Sequence, residues 1–158
     1  MGKEIERKFL LAEGASIPIP ETHMKMTIKQ GYIHVEKDKQ IRVRLSRWGG
    51  QDFANVCIKY TGKLVRDEFD FPVQSKLKDA KALYKKCKYT LEKKRLTFSK
   101  GHEHYDIDTF PNGMTFVEVE FMTLGKMKKW KKPSWLGKEI TNESKYSNIV
   151  LAKKNLKF

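Results

Sequence analysis

Charged side chains recur two residues apart along this chain: Glu4, Glu6 and Lys8; Arg42 and Arg44; Arg66, Glu68 and Asp70; Lys93 and Arg95; Asp106 and Asp108; Glu118 and Glu120. In a strand, that spacing puts each set on one face. The opposite faces are apolar: Ile41, Val43 and Leu45 oppose the first arginine pair; Val65, Phe69, Phe71 and Val73 oppose the Arg66 set, with Asp67 the exception; and Val117, Val119 and Phe121 oppose the last acid pair. Clustered carboxylates repel one another unless a hard divalent cation sits between them. Arginine offers a planar fork that grips phosphate or carboxylate with two bonds, where lysine is a point charge. Only six of the 33 basic residues are arginine, and four of those six fall in the alternating sets.

The elements that must position these residues are mostly strands. Alternation predicts strands over 3–12, 24–36, 40–47, 53–61, 64–73, 89–98, 104–110 and 115–122. Pro18 and Pro20 mark a loop, Gly49-Gly50 a turn, Thr61-Gly62-Lys63 a hairpin turn, and Lys100-Gly101 and Pro111-Asn112-Gly113 further turns. Ser75 is placed to cap a helix over 76–87, with Leu77, Ala80, Tyr84 and Cys87 as its apolar stripe. A short lysine-rich helix is expected over 123–132, ended by Pro133, and a terminal helix over 143–155 with Tyr146, Ile149 and Val150 on one side. Residues 1–158 read as a single domain, α+β but mostly β.

Two architectures can be built from such strands. In a sandwich the charged faces are solvated outer surfaces. In an eight-stranded antiparallel barrel they line a lumen wide enough for one small ligand, and the apolar faces point outward beneath a few flanking helices. The lumen acids are then Glu4, Glu6, Glu68, Asp70, Asp106, Asp108, Glu118 and Glu120, and the lumen bases Lys8, Lys29, Arg42, Arg44, Lys59, Arg66, Lys93 and Arg95. That balanced set leaves the whole +14 surplus on the outer surface, where it says little about the site. Buried charges of both signs are costly unless paired or coordinated. A complex of a divalent cation with a polyphosphate satisfies both sets at once.

Composition bounds the alternatives. At 158 residues the chain buries a sizeable core without staples. Cys57 and Cys87 have no metal-ligand spacing and suit a reducing cytoplasm. No apolar run reaches the ~20 residues of a membrane span, and the charged N-terminus lacks an apolar signal core. His102 and His104 flank Glu103 near a turn and read as exposed, and His23 and His34 as surface residues. Trp48, Trp130 and Trp135 sit near basic residues, but nucleic acid is not the expected partner. The choice between monomer and homodimer stays open.

The whole chain then resembles one known family, the CYTH superfamily of triphosphate tunnel metalloenzymes. Glu4-Ile5-Glu6-Arg7-Lys8 resembles its ExExK strand, Gln30-Gly31-Tyr32 its QGY and Arg42-Val43-Arg44 its RxR pair. Lys59 stands where the next strand carries a lysine. Arg66-Asp67-Glu68-Phe69-Asp70 resembles RxExE, with Asp70 in place of the second Glu. Glu92-Lys93-Lys94-Arg95 resembles EKxR, Asp106 and Asp108 an expected acid pair, and Val117-Glu118-Val119-Glu120-Phe121 the VEVEF strand. Trp135-Leu136-Gly137 and Lys145-Tyr146-Ser147-Asn148 resemble the closing WxG and RYxN, with Lys145 where Arg is usual.

The resemblance implies a tunnel that hydrolyses or transfers triphosphate groups with Mg²⁺ or Mn²⁺, and is strongest to the small bacterial inorganic triphosphatases. It implies a metal set of Glu4, Glu6, Glu118 and Glu120, with Glu68, Asp70 and Asp108 nearby. Lys8, Arg42, Arg44, Lys59, Arg66, Lys93 and Arg95 would hold phosphate, and Lys8, Lys93 and Arg95 would act in catalysis. The expected substrate is inorganic tripolyphosphate. A class IV-type adenylate cyclase and a thiamine or nucleoside triphosphatase use the same tunnel. A non-catalytic binder of polyphosphate or RNA is the alternative of another class.

Overall fold

The computed structural model describes residues 2–60 and 64–158. The alternating segments form β1 (Gly2–Leu11), β2 (Met24–Val35), β3 (Lys39–Trp48), β4 (Gln51–Tyr60), β5 (Val65–Pro72), β6 (Tyr89–Lys100), β7 (Glu103–Thr109) and β8 (Thr115–Phe121). A short β9 (Leu136–Glu139) was not foreseen from the sequence. The expected turn at Thr61-Gly62-Lys63 lies outside the described residues. The sheet runs β5-β4-β3-β2-β6-β7-β8-β1-β9, and β5 returns to pair with β1. That last pairing closes eight antiparallel strands into a barrel. Beyond Ile5, β1 passes from β5 to β9, which pairs with it from Phe9 to Leu11. Gly137 is required in β9, because a Cβ there would stand 2.7 Å from the Leu11 carbonyl oxygen.

The barrel's outer wall is apolar and is covered where helices and loops pack on it. Helix α1 (Leu77–Lys86) lies over β3 and β4, packing Ala80, Leu83 and Tyr84 against Val43 and Ala54. Gly31 lets Cys87 approach, since a Cβ at that position would sit 2.8 Å from its sulfur. The wall formed by Phe9, Tyr105, Val119 and Phe121 is covered by Trp130 and Trp135. Trp130 follows α2 (Leu124–Lys129), whose start is capped by the Thr123 hydroxyl. At one end of the barrel, Tyr32, Leu91, Phe110 and Phe116 are stopped by Ile140, Leu151 and Ala152 of the C-terminal segment. Among the described residues, no helix is long and apolar enough to cross a membrane.

Three expectations about helices are corrected. Ser75 caps nothing: it lies in a 3-10 turn (Gln74–Lys76), and α1 starts after it without a side-chain cap. Helix α2 stops at Lys129, before Pro133, because extended backbone at Trp130 turns that ring onto Phe9 and Phe121. The terminal helix is split. A 3-10 turn (Ser144–Tyr146) ends at extended Ser147, whose hydroxyl caps a short α3 (Asn148–Ala152) by accepting from the Val150 N–H. A serine that can serve as a new N-cap competes with continuing the helix through it.

Candidate active site

Directly opposed residues of an antiparallel pair share a face, so strand register decides which side chains meet in the lumen. Glu6 opposes Glu120 and Lys8 opposes Glu118 across β1 and β8. On β7, His104 opposes Glu120 and Asp106 opposes Glu118. Arg95 opposes Asp108, Arg42 opposes Cys57, Lys59 opposes Glu68 and Glu4 opposes Arg66. The barrel thus brings Glu4, Glu6, Lys8, Arg42, Arg44, Lys59, Arg66, Glu68, Arg95, Asp106, Glu118 and Glu120 to one interior.

Two cavities divide this interior. The larger, of about 370 Å³, is lined by Lys8, Arg42, Lys59 and Arg66 and by the C-terminal segment over Ile140–Ser144 and Tyr146–Ile149. The smaller, of about 160 Å³, is richer in acids: Glu4, Glu6, Glu68, Asp106, Glu118 and Glu120 line it with Arg42, Arg44, Lys59 and Arg95. Glu6, Arg42, Lys59, Glu118 and Asn148 line both, and so form the waist between them.

Most of these acids are drawn toward a base, Glu120 excepted. Glu4 lies 2.6 Å from the Lys59 ammonium, and Arg66 donates to Glu6 at 2.8 Å. Glu118 stands 3.7 Å from Lys8 and 3.5 Å from Arg95. Glu68 accepts from the Cys57 thiol at 3.2 Å and stands 3.5 Å from Lys59. Among the described residues, no three acids, cysteines or histidines are gathered as a ready metal site.

The pairing is nevertheless incomplete. The Glu4 and Glu68 Oε2 atoms are buried without a hydrogen bond, the Lys59 contacts to them lacking the geometry of one. Burial pushes the Glu6 carboxyl up to about 8, with repulsion from Glu118 and Glu4 adding to it against the pull of Lys59 and Arg66. Glu120 is raised as well, by burial and then by Glu4. Burial also opposes charge on Glu118, but Lys8, Arg95, Lys93 and Lys59 together hold it well below the usual carboxylate range. Opposed like charges are destabilising, and carboxylate oxygens held this way fit a hard divalent cation.

Several expected site residues stand elsewhere. Lys29 points outward, is 56% exposed and pairs with Glu92 at 3.6 Å; the lumen position beside it belongs to Gln30, fully buried and bonded to Tyr32 and Arg44. The sequence offered Gln30 no charge to be noticed by. Asp70 shares the lumen face but sits at the exposed rim, hydrogen-bonded by Asn55 and away from the acid set. Asp108 is 1% exposed and lines neither cavity. Its oxygens accept from a two-bonded Arg95 (2.6 and 2.7 Å) and from Lys93 (2.7 Å). Lys93 is likewise sealed in the wall; burial, then Arg95, pushes its ammonium down to about 8. Arg95 is also bound by Asp106, so its guanidinium is fixed from two sides.

His104 does not lie in an exposed turn. It belongs to β7, bonds Thr97 at 2.7 Å and Ser99 at 3.0 Å, and lines the smaller cavity. Its two-residue spacing from Asp106 was the signal that could have placed it. Lys145, by contrast, is 67% exposed and stands 3.6 Å from Glu143, outside both cavities.

No family model matches the chain. An inorganic triphosphatase of Acetivibrio thermocellus is 30% identical over 157 residues, covering 97% of this chain and 95% of that protein. One from Nitrosomonas europaea is 30% identical over 154 residues, covering 94% and 96%. The crystal structure of an inorganic triphosphatase superposes with a TM-score of 0.60 at 26% identity, covering 95% of this chain and 97% of the other. With identity and fold agreeing over nearly the full length of both chains, this chain belongs to the inorganic triphosphatases of the CYTH, or triphosphate tunnel, superfamily.

Proposed function

We propose that the chain hydrolyses inorganic tripolyphosphate to pyrophosphate and phosphate, with Mg²⁺ or Mn²⁺ held by Glu4, Glu6, Glu118 and Glu120. One observation carries this reading: cations able to grip a phosphate chain and carboxylates short of hydrogen bonds face each other across one closed interior. Bound there, the cation would neutralise phosphate oxygens and lower the pKa of a water. Arg42, Lys59, Lys8 and Arg66 of the larger cavity are the phosphate-holding set, and Arg44 lies with Arg42 in the smaller one. Arg95 offers a pre-aimed guanidinium for charge that develops in the transition state. Asp108 and Lys93 act through it: they orient Arg95 and touch no substrate. Glu68 balances Lys59 and Arg42. Two free thiols, Cys57 and Cys87, suit a reducing cytoplasm.

Cyclisation of ATP would need a purine platform and alignment of a ribose hydroxyl on phosphorus. Two aromatics line the larger cavity: Tyr32 is 4% exposed with its phenol bonded by Gln30, and Tyr146 packs edge-on against Phe116 with the Lys145 ammonium over its ring at 4.9 Å, so neither presents a free stacking face. A pure polyphosphate binder leaves the acid set without a purpose, since bare carboxylates repel a polyanion. The test is phosphate release from tripolyphosphate, ATP, thiamine triphosphate and pyrophosphate, each with Mg²⁺ and Mn²⁺. The highest kcat/KM is expected for tripolyphosphate. Cyclic AMP as the main product from ATP, or no turnover of any triphosphate, overturns the proposal.

A further inference from the structure

Of the five residues that line both cavities, four are ionic and one is not. The neutral one is Asn148, and its Oδ1 is shielded from solvent with no hydrogen-bond partner. A buried acceptor left unmade costs roughly 1–3 kcal/mol, and a phosphate oxygen, itself an acceptor, does not repair it. The shielded oxygen leaves the amide N–H₂ as the group that can meet a ligand at the waist. Across the waist stands a matching defect: Arg42 Nε is a buried donor, also without a partner. Asn148 arrives there on the C-terminal segment, which is seated independently. Lys8 donates to the Tyr146 carbonyl at 2.8 Å, Ile140 N–H donates to the Lys8 carbonyl at 2.8 Å, and the Ser147 hydroxyl caps the turn that begins at Asn148.

Resting on the triphosphatase reading above, we infer that Asn148 is a further substrate-binding residue, whose carboxamide N–H₂ donates to a phosphate oxygen at the waist.

Chemistry favours an amide at this point. Phosphate oxygens in a polyphosphate only accept, so a donor is needed. Cations are already crowded there: burial, then Arg42 and Arg95, push Arg44 down to about 10. Another ammonium would repel them, whereas an amide donates without added charge. A phosphate chain running from the base-rich cavity into the acid-rich one must pass this waist. It would therefore meet Asn148 together with Arg42 and Lys59, and the contact would tie the C-terminal segment to the substrate.

The experiment reads binding apart from turnover. Wild type, Asn148→Ala, Asn148→Ser and Asn148→Asp are titrated calorimetrically with tripolyphosphate in EDTA, and melted with and without it. In the free protein, the Ala and Ser variants should melt no lower than wild type, because the oxygen they remove has no partner. Both should bind tripolyphosphate about 10- to 100-fold more weakly, the scale of one hydrogen bond to a charged group. The Asp variant, similar in shape but anionic, should bind more weakly still. Wild-type affinity in Ala and Ser, or a free-protein melting point lowered in both, overturns the inference and makes Asn148 merely structural. Where the wild type is silent in EDTA, KM for tripolyphosphate with Mg²⁺ is read in its place, with the same rise expected in Ala and Ser and an unchanged KM overturning the inference; a wild type that also releases no phosphate overturns the triphosphatase reading beneath it.

Discussion

Replacing Glu6 with Gln in the metal-free protein should raise its stability at neutral and alkaline pH while removing a metal ligand. Glu6 lies at 9% exposure, accepts from Arg66 at 2.8 Å and opposes Glu120. Its carboxyl is pushed from 4.5 up to about 8, by burial first and then by Glu118. A carboxyl whose folded value lies above its unfolded one stabilises the fold most below the unfolded value. That contribution is lost as pH rises through the folded value. Between the two values the slope approaches 1.4 kcal/mol per pH unit, or roughly 3 kcal/mol from pH 5 to pH 8. Gln keeps an acceptor for Arg66 but has no proton to lose, so this component vanishes. The assay is urea unfolding of both proteins in EDTA at pH 5, 6, 7 and 8. The wild-type stability should fall relative to the variant by an amount of that order across the series. With saturating Mg²⁺ the order should reverse, because Gln cannot supply the carboxylate. A difference between the two proteins that stays constant from pH 5 to pH 8 would refute the claim that the empty tunnel holds Glu6 as a reluctant anion.

Asp108→Asn should destabilise the fold by about 3–5 kcal/mol, the cost of leaving a buried charge without its partner, since Lys93 is sealed beside it; chemical unfolding measures this, and a loss below 1 kcal/mol contradicts the pairing. Gly31→Ala should cost about 1–3 kcal/mol through overpacking against Cys87, and less in a Cys87→Gly background, which removes both the sulfur at 2.8 Å and the Cβ at 2.9 Å; equal costs in both backgrounds would mean the clash lies elsewhere. Arg42→Ala and Arg44→Ala should each lower turnover roughly 10²–10³-fold, the scale of a lost charge stabiliser, while Lys128→Ala with Lys129→Ala should leave steady-state rates unchanged. Larger effects from the lysine pair would move the chemistry to the outer surface.

Much of the molecule is written in local pattern. The period-two alternation of Arg42-Val43-Arg44 and Glu118-Val119-Glu120 set strand identity and face, because a strand can place successive side chains only on opposite sides. The eight lumen strands and most of the charged set follow from that rule, and the full-length resemblance supplied the barrel closure. What alternation could not show is which of two faces a marginal strand turns inward. In β2 the charge pattern pointed to Lys29, and pairing with β3 and β6 put its neighbour Gln30 inside and Lys29 out. Nor does type and spacing show who claims a side chain. Asp108 has the chemistry of a metal ligand, yet Arg95 and Lys93, brought to it by register with β6, use its oxygens. His104 entered the tunnel because β7 pairs it opposite Glu120, on the same face as Asp106. Asn148 reached the waist only because Ser147 breaks the terminal helix and the segment folds back over Lys8. Local sequence determines the period of an element, since its backbone geometry needs no neighbours. Inward register, charge partners and the residue that closes the waist depend on contacts far apart in the chain, so only the tertiary structure decides them.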